Sequence, residues 1–204
     1  KQNFVRPGVF PGSFLVFQKM NRTHRPLWDF SLRHVALPTH GRVLDVGCGG
    51  GGFLREMLSR APDAVFCGVD YSPLSVRRTR RTNRDAIRAG RLDVREGSVS
   101  SLPWDANSFD LATASETIYF WPDPENDFKE VARVLKPGGR FAVCCDCADK
   151  EEGRRYSDRL KGMRIHSADD IAGFFAAAGL IETTRVFSGP DETGMLCMEA
   201  RKPE

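Results

Sequence analysis

Short apolar runs alternate with longer amphipathic stretches along most of this chain. Apolar runs of five to eight residues are typical of buried strands. They predict strands at 42–46, 65–70, 92–96, 109–114, 140–146, 180–187 and 194–200. Apolar residues at helical spacing predict helices at 26–37, 51–60, 73–89, 125–135 and 168–178. The chain therefore reads as a regular series of strands and helices.

This alternation predicts a parallel sheet that is covered by helices on both faces. Residues that end or cap helices support the predicted helix boundaries. The helix at 125–135 stops before Pro137-Gly138-Gly139, and Ser167 with Asp170 forms a capping box for the last helix. The last two strands have no helix between them, so we expect an antiparallel hairpin at one sheet edge. With 204 residues and no repeat or linker, one domain is predicted.

A glycine-rich loop follows the first predicted strand in the stretch VLDVGCGGGGF, residues 43–53. Gly47, Gly49 and Gly52 satisfy the G-x-G-x-x-G spacing of dinucleotide-binding loops. Glycines at this place let the backbone approach a ligand, and the following helix offers free N–H groups to an anion. A pyrophosphate and an amino-acid carboxylate fit equally well. The spacing alone leaves both open.

Two acidic residues separate these cofactor classes. Asp45 precedes the loop, where a carboxylate repels a pyrophosphate and attracts a ligand that carries ammonium and sulfonium charges. Asp70 ends the second strand, where a carboxylate accepts hydrogen bonds from both ribose hydroxyls. Asp70 thus indicates a nucleoside, and Asp45 favours a sulfonium-bearing one.

Composition excludes several other functions. The net charge of +3 is too small to indicate a nucleic-acid partner, and the eight arginines from Arg77 to Arg95 have no interleaved aromatics, which favours a solvated helix face. The apolar runs are too short to span a bilayer. Six irregularly spaced cysteines suggest reduced thiols and a cytoplasmic protein. The C-x-x-C of Cys144 and Cys147 lacks a second pair, so core packing is expected and no metal site is predicted.

Four motifs in order resemble class I S-adenosylmethionine-dependent methyltransferases, in the branch known as the type 11 or UbiE-like group. They are VLDVGCGGG, CGVDYS, EGSVSSLPWDANSFDLATA and EVARVLKPGGRF, and the match covers residues 42–146. The resemblance implies a Rossmann-like, doubly wound α/β fold in three layers. Its seven strands follow the order 3-2-1-4-5-7-6 with the last strand antiparallel.

The N-terminal residues also resemble small bacterial members of this group. Met20-Asn-Arg-Thr-His24, followed by Trp28 and Leu32, looks like their entry helix. We therefore expect an entry or lid segment over residues 1–40 and the methyltransferase domain over 41–204.

The resemblance implies S-adenosylmethionine as cofactor and a set of residues that hold it. Asp45, Gly47 and Gly49 match the loop that binds the methionine part of the cofactor. Cys48 and, from the entry segment, Met20 and Asn21 are further cofactor-binding candidates. The residues that match the nucleoside-binding positions are Asp70, Tyr71, Leu74, Gly97, Ser98 and Val99. Ser98 stands where many relatives carry Asp. Ser115 matches a position whose backbone faces the transferred methyl group.

The acceptor side is expected in the segment that leaves the fourth strand. Glu116, Tyr119 and Trp121 are candidates to orient or cage an acceptor, and His24 and His166 lie near predicted lids. Methyl transfer needs alignment and exclusion of water, and the fold dictates no general base. The Asn/Asp-Pro-Pro-Tyr signature of adenine and glutamine methyltransferases is absent.

The sequence therefore predicts methyl transfer to a small-molecule acceptor by a monomer or homodimer, without nucleic acid. A nicotinamide-dependent dehydrogenase is a rival interpretation. Asp45 and the lack of a Tyr-x-x-x-Lys motif count against it. A second rival is a partner subunit that binds the cofactor without turnover.

Overall fold

A computed structural model describes residues 23–146 and 162–204, which form one seven-stranded sheet with flanking helices. The strands are β1 Arg42–Val46, β2 Val65–Asp70, β3 Leu92–Glu96, β4 Phe109–Ser115, β5 Leu135–Cys145, β6 Ile181–Phe187 and β7 Leu196–Arg201. The helices are α1 Arg25–His34, α2 Gly52–Arg60, α3 Pro73–Thr82, α4 Arg84–Arg88, α5 Pro124–Val134 and α6 Ala168–Ala177. A 3₁₀ turn spans Ile118–Phe120.

The strand order is β3-β2-β1-β4-β5-β7-β6, as predicted. β1 to β5 pair in parallel, whereas β7 runs antiparallel to both of its neighbours, β5 and β6. The predicted hairpin is thus confirmed, with β7 inserted between β5 and β6. The order reverses at β1, so a crevice opens between the carboxyl ends of β1 and β4.

The sheet separates two hydrophobic cores. Helices α1, α2 and α3 cover one face through residues such as Leu27, Phe53 and Val76. Helices α5 and α6 cover the other face, where Phe128, Phe141 and Phe175 form an aromatic cluster with ring centroids 5.0 to 5.5 Å apart. This arrangement is the expected three-layer αβα sandwich. Among the described residues, no helix has the length and apolar character that crossing a bilayer requires.

The helix predicted over 73–89 is wrong as a single element. It is divided at Asn83 into α3 and α4. The Asn83 side-chain amide donates to the carbonyls of Thr79 and Gly51. The break therefore fixes α3 to the glycine loop.

The fifth strand begins earlier than predicted, directly after α5. Leu135 already pairs with Phe109, and the pairing register shifts before Leu111. Pro137-Gly138-Gly139 therefore lies within the strand as an irregularity. A Cβ atom on Gly139 would lie 2.8 Å from the Lys136 carbonyl oxygen and 3.0 Å from that of Phe109, so this crossing requires glycine.

The arginine-rich segment, residues 77–95, is exposed to solvent over only part of its length. The Arg91 guanidinium reaches the end of α2, where it donates to the carbonyls of Ala61 at 2.7 Å, Ala64 at 3.2 Å and Leu58 at 3.4 Å. By contrast, Arg88 is exposed and forms an ion pair with its neighbour Asp85. Arg91 thus satisfies carbonyls that a helix end leaves without partners.

We expect Arg91→Ala to lower the free energy of unfolding by about 1 to 3 kcal/mol, because carbonyls around the end of α2 lose a charged donor. Arg88→Ala is the matched control and should change it by less than about 0.5 kcal/mol. Urea unfolding at pH 7 measures both. Equal effects of the two substitutions would contradict the capping role of Arg91.

Candidate active site

The glycine loop is held by backbone and side-chain hydrogen bonds from two neighbouring elements. The N–H groups of Gly47 and Cys48 both donate to the Val69 carbonyl, at 2.8 and 3.0 Å. The Thr79 hydroxyl donates to the Gly49 carbonyl at 2.7 Å. The Asn83 side chain donates to the Gly51 carbonyl, so hydrogen bonds hold the loop against both β2 and α3.

Gly47 allows the closest approach in this loop. Its φ is +77°, and a Cβ atom there would lie 2.1 Å from the Thr117 hydroxyl oxygen. The segment after β4 therefore packs directly on the loop, with no room for a side chain. Glycine is required at this position both for its conformation and for space.

A cavity of about 520 Å³ opens at the carboxyl ends of the strands, within the range of small-molecule sites. One part of its wall comes from the loop, β2 and the start of α3: Val46, Gly47, Gly49, Val69, Asp70, Tyr71, Ser72 and Ser75. The rest comes from the segments after β3 and β4: Gly97, Ser98, Val99, Glu116, Thr117, Phe120, Trp121 and Pro122.

The carboxylate of Asp70 lies in the cavity wall, and each of its oxygens accepts a hydrogen bond from the backbone. One oxygen accepts from the Gly49 N–H and the other from the Ser72 N–H, both at 2.9 Å. Burial raises the pKa of Asp70 above its usual value, against the effect of these two bonds. Each oxygen has a second lone pair, so the carboxylate retains capacity for hydroxyl donors from a ligand.

Asp45 lies in the wall of β1 behind the loop rather than among the residues that line the cavity. It is 3% exposed, and the Thr113 hydroxyl donates to it at 2.9 Å. Burial raises its pKa to about 7, and the nearby charge of Asp70 adds to this rise. The expectation that Asp45 projects into the pocket is therefore not met, because its side chain turns toward β4. Its role in binding the cofactor stays a prediction.

The opposite end of the cavity is built around Glu116. This residue has a φ of +58°, an unusual and strained backbone conformation for a residue other than glycine. Its carboxylate accepts from the Tyr119 hydroxyl at 3.0 Å and from the Asp146 N–H. Burial, followed by the charge of Asp146, raises the pKa of Glu116 to about 8.

Comparison with known proteins identifies the family. A family model described as "Methyltransferase domain" matches residues 44–143. A demethylmenaquinone methyltransferase of Roseiflexus castenholzii is 32% identical over 173 residues, which cover 81% of this chain and 69% of that protein. The chain belongs to the class I S-adenosylmethionine-dependent methyltransferases of the type 11 group.

Other relatives agree with this assignment. A cycloartenol-C-24-methyltransferase of Oryza sativa subsp. japonica is 39% identical over 102 residues, 50% of this chain and 29% of that protein. This chain spans about half the length, or less, of several curated methyltransferases that it matches. A Haloferax volcanii methyltransferase, solved in complex with the Trm112 activator, shares the fold with a TM-score of 0.81, 22% identity and coverage of 93% and 94%.

In this member of the family, most of the predicted cofactor residues come together at the cavity. Gly47, Gly49, Asp70 and Tyr71 line one side, and residues 97–99 line the adjoining side. Their specific contacts with the cofactor stay predictions. Met20 and Asn21 fall outside the described residues, and so does Cys147.

Three predicted cofactor residues lie behind the cavity wall instead. The Cys48 thiol is buried and donates to the Thr79 hydroxyl at 3.7 Å. Leu74 is half-buried in the first turn of α3, outside the lining. The Ser115 hydroxyl is buried with no hydrogen-bond partner in the described segments. For these three, any role in binding would come from the backbone or from positioning.

The acceptor candidates divide in a similar way. Trp121 lines the cavity and stacks on Phe141 with 7° between the ring planes. Tyr119 is only 1% exposed and is not among the residues that line the cavity, and its hydroxyl donates to Glu116. Its contact with an acceptor stays a prediction. His166 packs edge-on against Phe174 at 5.2 Å. The nearby Arg164 donates to the Trp121 and Pro122 carbonyls and so fixes this wall.

Sequence reasoning missed several lining residues. Ser72 and Ser75 lie in the wall beside Asp70, and a signal was present, because both begin the helix that follows the acidic strand end. Thr117, Phe120 and Pro122 flank the predicted acceptor residues, but nothing in the local pattern shows which of them turn inward. The contact of His24 with Glu116, at 3.9 Å between Nε2 and Oε2, joins residues far apart in the chain.

We expect Gly47→Ala to lower the midpoint of thermal unfolding, because the added methyl group collides with Thr117. Gly90→Ala is a matched control, since Gly90 also has positive φ, +69°, but has open space around it. The control should cost about 1 kcal/mol from backbone strain, and Gly47→Ala should cost about 2 kcal/mol more, as for overpacking. Comparable losses for both would contradict close packing at Gly47.

The raised pKa of Asp45 makes a prediction about pH. Unfolded Asp45 ionises near pH 4 and folded Asp45 near pH 7, so the native state binds more protons between these values. The free energy of unfolding should therefore fall as pH rises through this window. Asp45→Asn removes this loss. The difference in free energy of unfolding between the Asp45→Asn protein and wild type should therefore shift in favour of the variant by roughly 2 to 3 kcal/mol from pH 5 to pH 8.

Urea unfolding of both proteins at the two pH values measures the difference. Asp63→Asn, at an exposed acid in the loop after α2, is the control and should show no such change. A pH-independent difference for Asp45→Asn would mean that Asp45 is ionised throughout in the folded protein.

Proposed function

We propose that this protein transfers a methyl group from S-adenosylmethionine to a small-molecule acceptor. One observation carries the proposal. A single cavity joins the fastened glycine loop and Asp70 at one side to Glu116 and an aromatic wall at the other. This is the arrangement that a reaction between a bound nucleoside cofactor and a second molecule requires.

The described residues suit the cofactor. Asp70 offers both carboxylate oxygens to ribose hydroxyls, next to the exposed ring of Tyr71. Gly47 and Gly49 leave the loop backbone uncovered for the polar end of the ligand. The buried Asp45 supplies negative potential behind this loop, which favours a cationic ligand over a pyrophosphate. This support for a sulfonium cofactor also weighs against the dehydrogenase interpretation.

S-adenosylmethionine, when bound, supplies a methyl group already activated by its sulfonium centre. The protein then has to align the acceptor and exclude water. Phe120 and Trp121 form an apolar wall next to Glu116, which suits both tasks. The partly protonated Glu116 would hold or release a proton on an acceptor hydroxyl or amine at neutral pH. A small molecule fits the cavity, and the related menaquinone and sterol methyltransferases bear names of small-molecule acceptors.

Calorimetry with S-adenosylmethionine, S-adenosylhomocysteine and NAD tests the cofactor. We expect both adenosyl compounds to bind with one site per chain and NAD to bind far more weakly. Preferential binding of NAD would overturn the proposal. Binding of S-adenosylmethionine without any S-adenosylhomocysteine formed across a broad panel of acceptors would favour the non-catalytic partner subunit.

Asp70→Ala should weaken cofactor binding about 5-fold to 150-fold, because two charged hydrogen bonds to the ribose are lost. Asp85→Ala, at an exposed acid on α4, is the control and should bind like wild type. Asp70 also bonds the backbone, so thermal unfolding without ligand should accompany the calorimetry. An unchanged affinity in a folded Asp70→Ala protein would refute the ribose assignment.

A further inference from the structure

Three side chains that commonly bind metal ions meet at the acceptor end of the cavity. His24 precedes α1, Glu116 follows β4, and Asp146 follows β5. One ligand atom of each lies within 4.8 Å of the other two. Three separate elements are needed to bring these residues together, so their meeting is a product of the tertiary structure.

Glu116 is oriented in the way expected of a metal ligand. Its Oε1 atom accepts from the Tyr119 hydroxyl and from the Asp146 N–H. Its Oε2 atom lies 3.9 Å from His24 Nε2, too far for a hydrogen bond. Outer hydrogen bonds of this kind fix a ligating carboxylate and leave its other oxygen for an ion. The backbone of Glu116 has a strained φ of +58° in the same arrangement.

The charges at this place are unbalanced. The carboxylates of Glu116 and Asp146 approach each other to within 4.8 Å. Within the described segments, His24 is the only basic side chain at ion-pairing distance from either carboxylate. A neutral imidazole such as that of His24 offers a nitrogen ligand to a metal ion. A divalent cation would balance both carboxylates.

We propose that His24, Glu116 and Asp146 bind one divalent transition-metal ion at the acceptor end of the cavity. An ion at 2.0 to 2.2 Å from two ligands sets them about 3.0 to 3.5 Å apart, so a small closure of these side chains completes the site. A nitrogen with two carboxylate oxygens suits Mn²⁺, Co²⁺ or Zn²⁺ better than Mg²⁺ or Ca²⁺, which prefer oxygen alone.

Such a site has an open side toward the acceptor. Three protein ligands leave at least one coordination position free, and Glu116 lines the cavity. An acceptor oxygen would occupy that position, where the ion orients it and lowers the pKa of a bound hydroxyl. The acceptor class is then one with a hydroxyl or other oxygen donor near the methylated atom. The metal site is inferred from the three ligand residues alone, whereas its role in orienting the acceptor rests on the proposed function.

Calorimetry on the full chain, stripped with EDTA and dialysed, tests the site with Mn²⁺, Zn²⁺ and Mg²⁺ as probes. Wild type should bind one Mn²⁺ or Zn²⁺, and Mg²⁺ more weakly than either. His24→Ala and Asp146→Asn should each weaken Mn²⁺ and Zn²⁺ binding at least tenfold. His40→Ala and Asp63→Asn, at exposed residues remote from the cluster, are the matched controls and should bind like wild type.

Thermal unfolding without metal shows which variants are folded, and Asp146→Asn is expected to be so because Asp146 is exposed. The absence of a stoichiometric site for Mn²⁺ and Zn²⁺ in wild type would overturn the proposal. Equal affinity in a folded Asp146→Asn protein, or tighter binding of Mg²⁺ than of both other ions, would do so too. Binding of S-adenosylmethionine, measured in EDTA, distinguishes failure of the metal site from failure of the proposed function. If S-adenosylmethionine binds and metal does not, only the metal site fails, and the reverse result refutes only the proposed function.

Discussion

The glycine loop after β1 is the constraint on which the rest of the site depends. Asp70 accepts the Gly49 N–H while Thr79 donates to the Gly49 carbonyl, so one peptide segment is held from β2 and from α3. Thr117 packs against Gly47 from the other side. Because the loop touches three elements, its position sets the shape of the cavity. A side chain at Gly47 would separate the loop from the acceptor segment.

The two ends of the cavity use burial differently. At the loop, Asp45 and Asp70 are buried carboxylates, and burial is the main cause of their raised pKa values. A cationic cofactor would relieve this cost on binding, so part of its affinity would come from the unfavourable state of the free protein. At the far end, Glu116 and Asp146 bring two carboxyl groups together beside the imidazole of His24. Both ends therefore favour positive charge.

Much of the fold followed from local pattern, and the failures have physical causes. Apart from the early start of β5, the strand bounds were predicted to within two residues, because buried strands are short and apolar. The break at Asn83 was missed because its cause is a hydrogen bond to Gly51, 32 positions away. Tyr119 was predicted to face the acceptor because its segment does. A 3₁₀ turn there buries it instead, and its neighbours Phe120 and Trp121 line the cavity.

The sequence by itself predicted the alternation of strands and helices, the glycine loop and the acid at the end of β2, because each depends on residues within a few positions of a strand end. The full strand order was implied by the family resemblance. Only the tertiary structure decided which side chains reach the cavity and which support it from behind, as with Asp45, Cys48 and Tyr119. It alone also joined His24, Glu116 and Asp146. Such contacts depend on how separate elements pack against one another, and spacing along the chain carries no record of that packing.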